Sequence, residues 1–199
     1  DENYSVDNSI IELLNFLSAS IDPDLVLENF ARIIRNAQFP QIWFDEFSDY
    51  KFFNLILTLC ERSQKAIDIF AEDKVLRDTF LSRDCLIPLS TKSLSVINLK
   101  DFYFRSSIQL TAGIIKPESF SDLYSEFLIR KIKSVIDDFV KEKNWKDSFF
   151  ISAMGSFGST ELSYASDIDL VFVISDIWKY PEIQKDFQNL LQDLKNNLP

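Results

Sequence analysis

Two of the chain's three glycines lie close together, at Gly155 and Gly158, directly after an apolar run. That run, Phe149 to Met154, predicts a buried strand because it is short, apolar and followed by turn residues. Glycine is used where the backbone takes unusual dihedral angles or comes close to a ligand. A Gly-Ser turn that opens a helix also exposes backbone N–H groups that can hold phosphate oxygens. Gly155 and Ser156 are therefore a predicted phosphate site at the end of a strand.

A pair of carboxylates stands at the start of the next apolar run. Asp167 and Asp169 precede Leu170 to Ile174, which predicts a second strand beside the first. Because side chains alternate along a strand, the two carboxylates are expected on one face. They would repel each other unless a cation lay between them, and Mg²⁺ prefers oxygen ligands. The pair is thus a candidate Mg²⁺ site, and a water-facing turn cap is the structural alternative.

The composition limits the classes of function. The chain has 199 residues, of which 46% are hydrophobic, so one or two globular domains are expected. The net charge of −10 disfavours a nucleic-acid partner. The absence of histidine excludes Ser-His-Asp and Cys-His catalysis and histidine metal sites. No apolar run approaches the length of a membrane span, so no membrane association is expected.

The two cysteines, Cys60 and Cys85, lie in apolar surroundings without the spacing of a metal motif. We expect them to be buried free thiols. Free thiols predict a reducing compartment and hence a cytoplasmic protein. Because the chain begins at Asp1 and not at Met, we interpret it as a fragment.

Helical periodicity dominates the remainder of the chain. Helices are predicted over 10–17, from Pro23 with Asp22 as cap, and over 42–47, 51–70, 73–81, 102–115 and 117–143. Residues 82–99 are predicted to be irregular. A turn is predicted over 144–148 and a loop over 176–180, and a last helix is predicted to begin at Pro181. We therefore predict a mostly helical α+β fold. A helical bundle region would occupy residues 1–99, and helices with a partial core would occupy residues 100–199.

The spacing of the glycine and carboxylate motifs resembles that of a known superfamily. Gly155-Ser156, then ten residues, then Asp167-Ile168-Asp169 resembles the signature of the DNA polymerase beta-like nucleotidyltransferases. The longer pattern, through Glu161, Tyr164 and Ser166, is most similar to that of the glutamine synthetase adenylyltransferases (adenylyl-removing enzymes). Loose similarity of the preceding helices extends the resemblance over most of the chain.

The resemblance implies a helical N-terminal region followed by the start of a nucleotidyltransferase α/β core. It implies transfer of AMP from ATP to a tyrosine of glutamine synthetase, or its phosphorolytic removal. Asp167 and Asp169 would be the catalytic carboxylates that bind Mg²⁺, and Gly155 and Ser156 would bind the β- and γ-phosphates. Glutamine synthetase and a PII-type signalling protein are the implied partners. Whether the chain belongs to the adding or the removing half stays open.

Two departures from the family pattern leave alternatives open. The family usually carries Lys where this chain has Ser156, and it has a third carboxylate on a later strand, for which Asp176 lies too close to the second strand. Both departures favour a non-catalytic helical interaction module with a degenerate nucleotidyltransferase remnant. The missing third carboxylate also predicts that the chain alone is incomplete for catalysis. A PII-type uridylyltransferase, or another small nucleotidyltransferase, has nearly the same motif spacing and is the remaining alternative.

Overall fold

The computed structural model describes residues 6–143, 149–174 and 182–198. The helices and strands within these ranges are, in order, α1 Val6–Ala19, α2 Pro23–Arg35, α3 Pro40–Glu46, α4 Tyr50–Arg62, α5 Gln64–Glu72, α6 Lys74–Leu81, α7 Leu99–Thr111, α8 Pro117–Lys143, β1 Phe149–Met154, α9 Gly155–Gly158, β2 Asp169–Ile174 and α10 Ile183–Asn197. Two short 3₁₀ turns lie between α6 and α7. The predicted mostly helical α+β class is confirmed.

Contacts between Cα atoms group the chain into two compact units. The first comprises Asp1–Pro88 and Lys100–Ile115, and the second comprises Leu89–Leu99 and Lys116–Pro199. This grouping assigns α7, apart from its first residue Leu99, to the first unit. The domain boundary predicted from the sequence, between residues 99 and 100, stays a prediction.

The first unit is a set of helices around an aromatic core. The rings of Trp43 and Phe80 stack with 6.2 Å between their centroids. Phe70 meets the edges of Phe80 and Phe104, in each case with 4.9 Å between centroids. All four side chains are buried. Because a fully buried large apolar side chain contributes about 1.5–3 kcal/mol, these rings are a main source of stability for this unit.

Side-chain caps set several helix starts in the first unit. The Asp22 carboxylate accepts a hydrogen bond from the Leu25 N–H at 3.0 Å, and α2 begins at Pro23 as predicted. The single helix predicted over 51–70 is wrong, because Ser63 ends α4 and begins α5. The Ser63 Oγ accepts a hydrogen bond from the Ala66 N–H at 3.3 Å, which caps α5.

The second unit contains the sheet. β1 and β2 pair in antiparallel register, with Met154 opposite Asp169. β1 has the predicted bounds, and β2 begins one residue earlier than predicted. The Phe172 ring of β2 lies 5.6 Å from the Phe187 ring of α10, between centroids. One face of the hairpin therefore packs on helical side chains, whereas Asp169 belongs to the exposed face.

Several predictions from the sequence fall on residues that the structure does not describe. The turn over 144–148, the loop over 176–180 with Asp176, and the helix start at Pro181 lie outside the described residues. Within the described ranges, no helix has the length and apolar character needed to cross a membrane.

Candidate functional site

Gly155 lies in close contact with Asp169. β1 ends at Met154, which is paired with Asp169, so the residue after Met154 begins α9 beside the start of β2. Gly155 has a φ of +56°, a conformation that side chains disfavour. A Cβ atom at this position would lie 2.9 Å from Asp169 Oδ2. The backbone conformation and the close approach of the carboxylate both require glycine here.

Gly158 holds α9 against β1. A Cβ atom at Gly158 would lie 2.7 Å from the backbone oxygen of Ala153, so a side chain at this position would clash with the strand. Phe157, which precedes Gly158, is buried. The Ser159 N–H donates to the Gly155 oxygen at 3.1 Å and ends the short helix. These contacts fix the start of α9 beside Asp169.

Hydrogen bonds order the loop that connects α9 to β2. The Glu161 N–H donates to the Ser156 oxygen at 2.8 Å. The Glu161 carboxylate accepts a hydrogen bond from Ser159 Oγ at 3.0 Å. From α8, Ser121 Oγ donates to the oxygen of the buried Leu162 at 2.9 Å. Glu161 therefore supports the loop that begins at the predicted phosphate site.

A tight turn at residues 163–166 leads into the carboxylate pair. The Ser163 N–H donates to Ser166 Oγ at 2.9 Å, and the Ser166 N–H donates to the Ser163 oxygen at 3.2 Å. Tyr164 in this turn packs on Phe120 of α8, with 4.5 Å between ring centroids. The turn is thus held by its own hydrogen bonds and by an aromatic contact with α8.

Asp167 and Asp169 are both exposed. Asp169 is the first residue of β2, whereas Asp167 precedes the strand, so strand alternation determines the face of Asp169 only. Among the described residues, no group of three or more His, Cys, Asp or Glu side chains could hold a metal ion. Two carboxylates still suit Mg²⁺, which binds through one or two carboxylates together with substrate phosphates. The close approach of Gly155 to Asp169 places the Asp169 carboxylate beside the backbone at the start of α9.

A groove lies between residues 164–172 and α10. Its volume is about 470 Å³. The polar part of its lining comes from Tyr164, Ser166, Asp167 and Lys195. Its apolar lining includes Leu170, Phe172, Leu191 and Leu194. Asp167 therefore belongs both to the predicted carboxylate pair and to a cavity that the sequence did not predict.

Asp167 is the groove residue that was predicted as a site residue, whereas Leu191, Leu194 and Lys195, which line the groove from α10, were not. Their spacing indicates an amphipathic helix, and this is confirmed by α10. Periodicity alone does not tell which side of such a helix faces a strand. The available signal was the row Leu191, Leu194 and Leu198, which recurs at helical spacing near the end of the chain.

Residues 119–190 match the family model of glutamate-ammonia ligase adenylyltransferase. Glutamate-ammonia ligase is another name for glutamine synthetase, so over roughly a third of the chain the match agrees with the resemblance predicted from the sequence. The matched segment contains Gly155, Ser156, Asp167 and Asp169. Comparisons with curated proteins and with solved structures gave no significant match.

Proposed function

We propose that this chain carries the nucleotide-binding part of an adenylyltransferase that acts on glutamine synthetase. The family match over residues 119–190 supports this proposal. The observation that carries it is the contact between Gly155 and Asp169 Oδ2, since it brings a backbone turn suited to phosphate beside a carboxylate suited to a metal ion. The reaction would be transfer of AMP from ATP to a tyrosine of glutamine synthetase, or its phosphorolytic removal.

In this proposal the chain's own residues bind and orient the triphosphate. Gly155 and Ser156 begin α9, and the first N–H groups of a helix have no acceptor within that helix. These groups would bind the β- and γ-phosphates. Asp167 and Asp169 would hold Mg²⁺, which when bound would neutralise charge on the transferred phosphoryl group. The Asp169 carboxylate lies close to Gly155. The proposed metal ligand and the proposed phosphate site are therefore adjacent.

Nucleotide binding is the activity that two carboxylates and this turn support most directly. We therefore expect ATP to bind in a Mg²⁺-dependent manner, as measured by calorimetry. In Asp167→Asn/Asp169→Asn the affinity should fall by about tenfold or more, because hydrogen bonds and contacts to charged groups contribute about 1.5–3 kcal/mol each. Retained Mg²⁺-dependent binding in this double variant would show that the two carboxylates do not form the site.

A matched control is offered by α8. Asp137 and Asp138 are exposed carboxylates on this helix, outside the proposed site. Asp137→Asn/Asp138→Asn removes the same charge from the protein as the site variant does. It should therefore leave ATP affinity unchanged. An equal loss of affinity in both double variants would indicate a general effect of net charge.

A further inference from the structure

Three large apolar side chains lie exposed beside one another on α1. Ile10 is 53% exposed, Ile11 is 54% exposed and Leu14 is 60% exposed. Leu14 follows Ile11 by three positions and Ile10 by four, so one helical turn brings all three to the same side of the helix. Single exposed apolar side chains are common on protein surfaces, whereas adjoining ones are typical of interaction sites. We call these three residues the α1 stripe.

Two serines hold α1 on the first unit while the α1 stripe faces solvent. Ser9 is buried, and its Oγ donates a hydrogen bond to the Phe47 oxygen at 3.2 Å. Just after the other end of the helix, Ser20 Oγ donates to Glu61 Oε1 at 2.8 Å. Because α1 is anchored near both ends, a partner that binds the stripe would not have to order this helix. Its binding would therefore not incur that entropic cost.

The part of the chain that carries the α1 stripe is acidic. Residues 1–31 contain seven Asp and Glu residues and no Lys or Arg. Asp24 and Glu28 are exposed carboxylates of α2, which packs against α1. Packed helices lie about 8–10 Å apart, and charges act over about the same distance in physiological salt. The apolar stripe is therefore set in a region of negative potential.

We infer that the α1 stripe is a docking site for a basic amphipathic helix of a partner protein. The apolar side chains of such a helix recur at every third or fourth position and would pack on the stripe. Its Lys and Arg side chains would be attracted by the acidic region around the stripe. The proposed nucleotide site shares no residue with this surface, so the docking does not depend on the proposed function.

The acidic charge selects among the possible occupants of the α1 stripe. A second copy of the chain that packed by the same face would bring its own acidic residues against those of the first copy. Anionic lipid surfaces and nucleic-acid phosphates would be repelled in the same way. A cationic protein segment is the occupant whose charge is complementary to the region.

Three labelled model peptides test the docking. The first has about four helical turns, with Leu at the positions that form one face and Lys at the others. The second has Glu in place of Lys. The third has the Lys and Leu residues of the first in an order that forms no apolar face. We expect the protein to bind the first peptide much more tightly than the other two, as followed by fluorescence anisotropy, and this affinity to fall as salt is raised.

Two double variants of the surface separate its apolar and acidic parts. Ile10→Ser/Leu14→Ser should weaken binding of the Leu/Lys peptide about tenfold or more, because it removes two of the three apolar contacts. Asp24→Asn/Glu28→Gln should weaken it about threefold, because exposed charges contribute less than buried apolar surface. Both variants should bind Mg²⁺–ATP as the wild type does.

The second unit supplies a matched control for each variant. Ile129 on α8 and Leu191 on α10 are 47% and 45% exposed, close to the exposure of the stripe residues. Ile129→Ser/Leu191→Ser should leave the affinity for the Leu/Lys peptide unchanged. Asp137→Asn/Asp138→Asn, which removes the same charge as the acidic variant, should leave it unchanged too. Circular dichroism of all four double variants checks that each of them folds.

Several results would overturn this assignment. One is a wild-type protein that does not bind the Leu/Lys peptide, and another is unchanged binding in Ile10→Ser/Leu14→Ser. Equal affinity for the Leu/Glu peptide would contradict the selection by charge. Wild-type dimers in sedimentation experiments that were lost in Ile10→Ser/Leu14→Ser would assign the stripe to a second copy of the chain. A failure to bind Mg²⁺–ATP would contradict the proposed function and leave the peptide result valid.

Discussion

At Gly155 two separate constraints act on one residue. Its φ is +56°, and a Cβ atom there would lie 2.9 Å from Asp169 Oδ2. Gly113 has a similar φ of +68°, but an added Cβ atom would have no neighbour within 4 Å. The two glycines therefore separate the cost of the backbone conformation from the cost of the contact with the carboxylate.

The comparison of Gly155→Ala with Gly113→Ala tests this separation. Gly113→Ala should lower the free energy of unfolding by roughly 1–2 kcal/mol through backbone strain alone and leave ATP affinity unchanged. Gly155→Ala should carry the same strain and also displace Asp169, so the affinity for Mg²⁺–ATP should fall. Urea unfolding and calorimetry measure the two effects. An undiminished ATP affinity in Gly155→Ala would contradict a role for this contact in binding.

The sequence predicted that Gly155 and Asp169 belong to one site, but it did not predict their contact. The spacing of turn and carboxylate residues indicated the family and the residue types. The contact depends on Met154 lying opposite Asp169. Two short apolar runs do not determine that register, because their side chains would also be accommodated by other pairings.

At the scale of single elements, the start of α6 depends on Asp73. Its carboxylate accepts a hydrogen bond from the Leu76 N–H at 3.1 Å and lies 3.2 Å from Lys100 Nζ. Partial burial by itself raises the pKa of this carboxyl group. The hydrogen bonds from Leu76 and Lys100 outweigh that effect and bring the pKa below its ordinary value.

Asp73→Ala should lower the free energy of unfolding by about 1 kcal/mol at pH 7, since it removes a helix cap. A depressed pKa in the folded state stabilises the protein above the unfolded pKa of about 3.9, and this stabilisation is lost as the pH falls through the folded pKa. The difference between wild type and variant should therefore shrink as the pH falls below about 4 and through the lowered pKa of the folded state. Urea unfolding at several pH values measures it.

Asp78 supplies the control for this prediction. It is an exposed residue within α6, away from the capping position. Asp78→Ala should change the free energy of unfolding by less than about 0.5 kcal/mol. If Asp73→Ala were no more destabilising than Asp78→Ala at pH 7, the cap would contribute nothing to stability.

Some element boundaries could be predicted from the sequence and others could not. α8 and β1 have the predicted bounds, because Pro117 and Gly155 mark them locally. At Ser63 the local cap of α5 is accompanied by a tertiary contact. Buried Asn29 donates hydrogen bonds to the Cys60 oxygen at 2.9 Å and to Gln64 Oε1 at 3.1 Å, on either side of the break. No local pattern indicates that a residue of α2 would bind there.

At the scale of the whole molecule, the two cysteines report on the integrity of the first unit. Cys60 and Cys85 are free and buried, as predicted. Burial raises the pKa of each thiol to about 12. The reactive form of a cysteine is the thiolate, so both side chains are protected by their pKa as well as by their lack of access.

We expect neither thiol to react with a disulfide reagent such as Ellman's reagent at pH 8 while the protein is folded. Both should react rapidly in concentrated urea. The labelling rate at intermediate urea concentrations should follow the opening of the first unit. Mass spectrometry of the labelled protein counts the modified cysteines. Rapid labelling of either residue in the absence of urea would contradict its burial.

The family resemblance of residues 119–190 and the fold class could be predicted from the sequence, whereas the groove could not. The motif from Gly155 to Asp169 is contiguous in the chain, and residues 119–190 match the predicted family. The groove is formed by Asp167 and Leu170 together with Leu191 and Lys195, which are distant in sequence. Such a cavity arises only when α10 packs beside β2, and helical periodicity does not specify that packing.

The alternation of β2 restricts the changes in length that the hairpin can accept. Asp169, Val171 and Val173 lie on the exposed face, and Leu170 and Phe172 lie on the opposite face. Deletion of one residue after Asp169 would exchange the faces of all the residues that follow, so apolar side chains would turn to solvent. Insertion of a pair of residues would preserve the alternation. Length variants of this strand are therefore expected to fold only when residues are gained or lost two at a time.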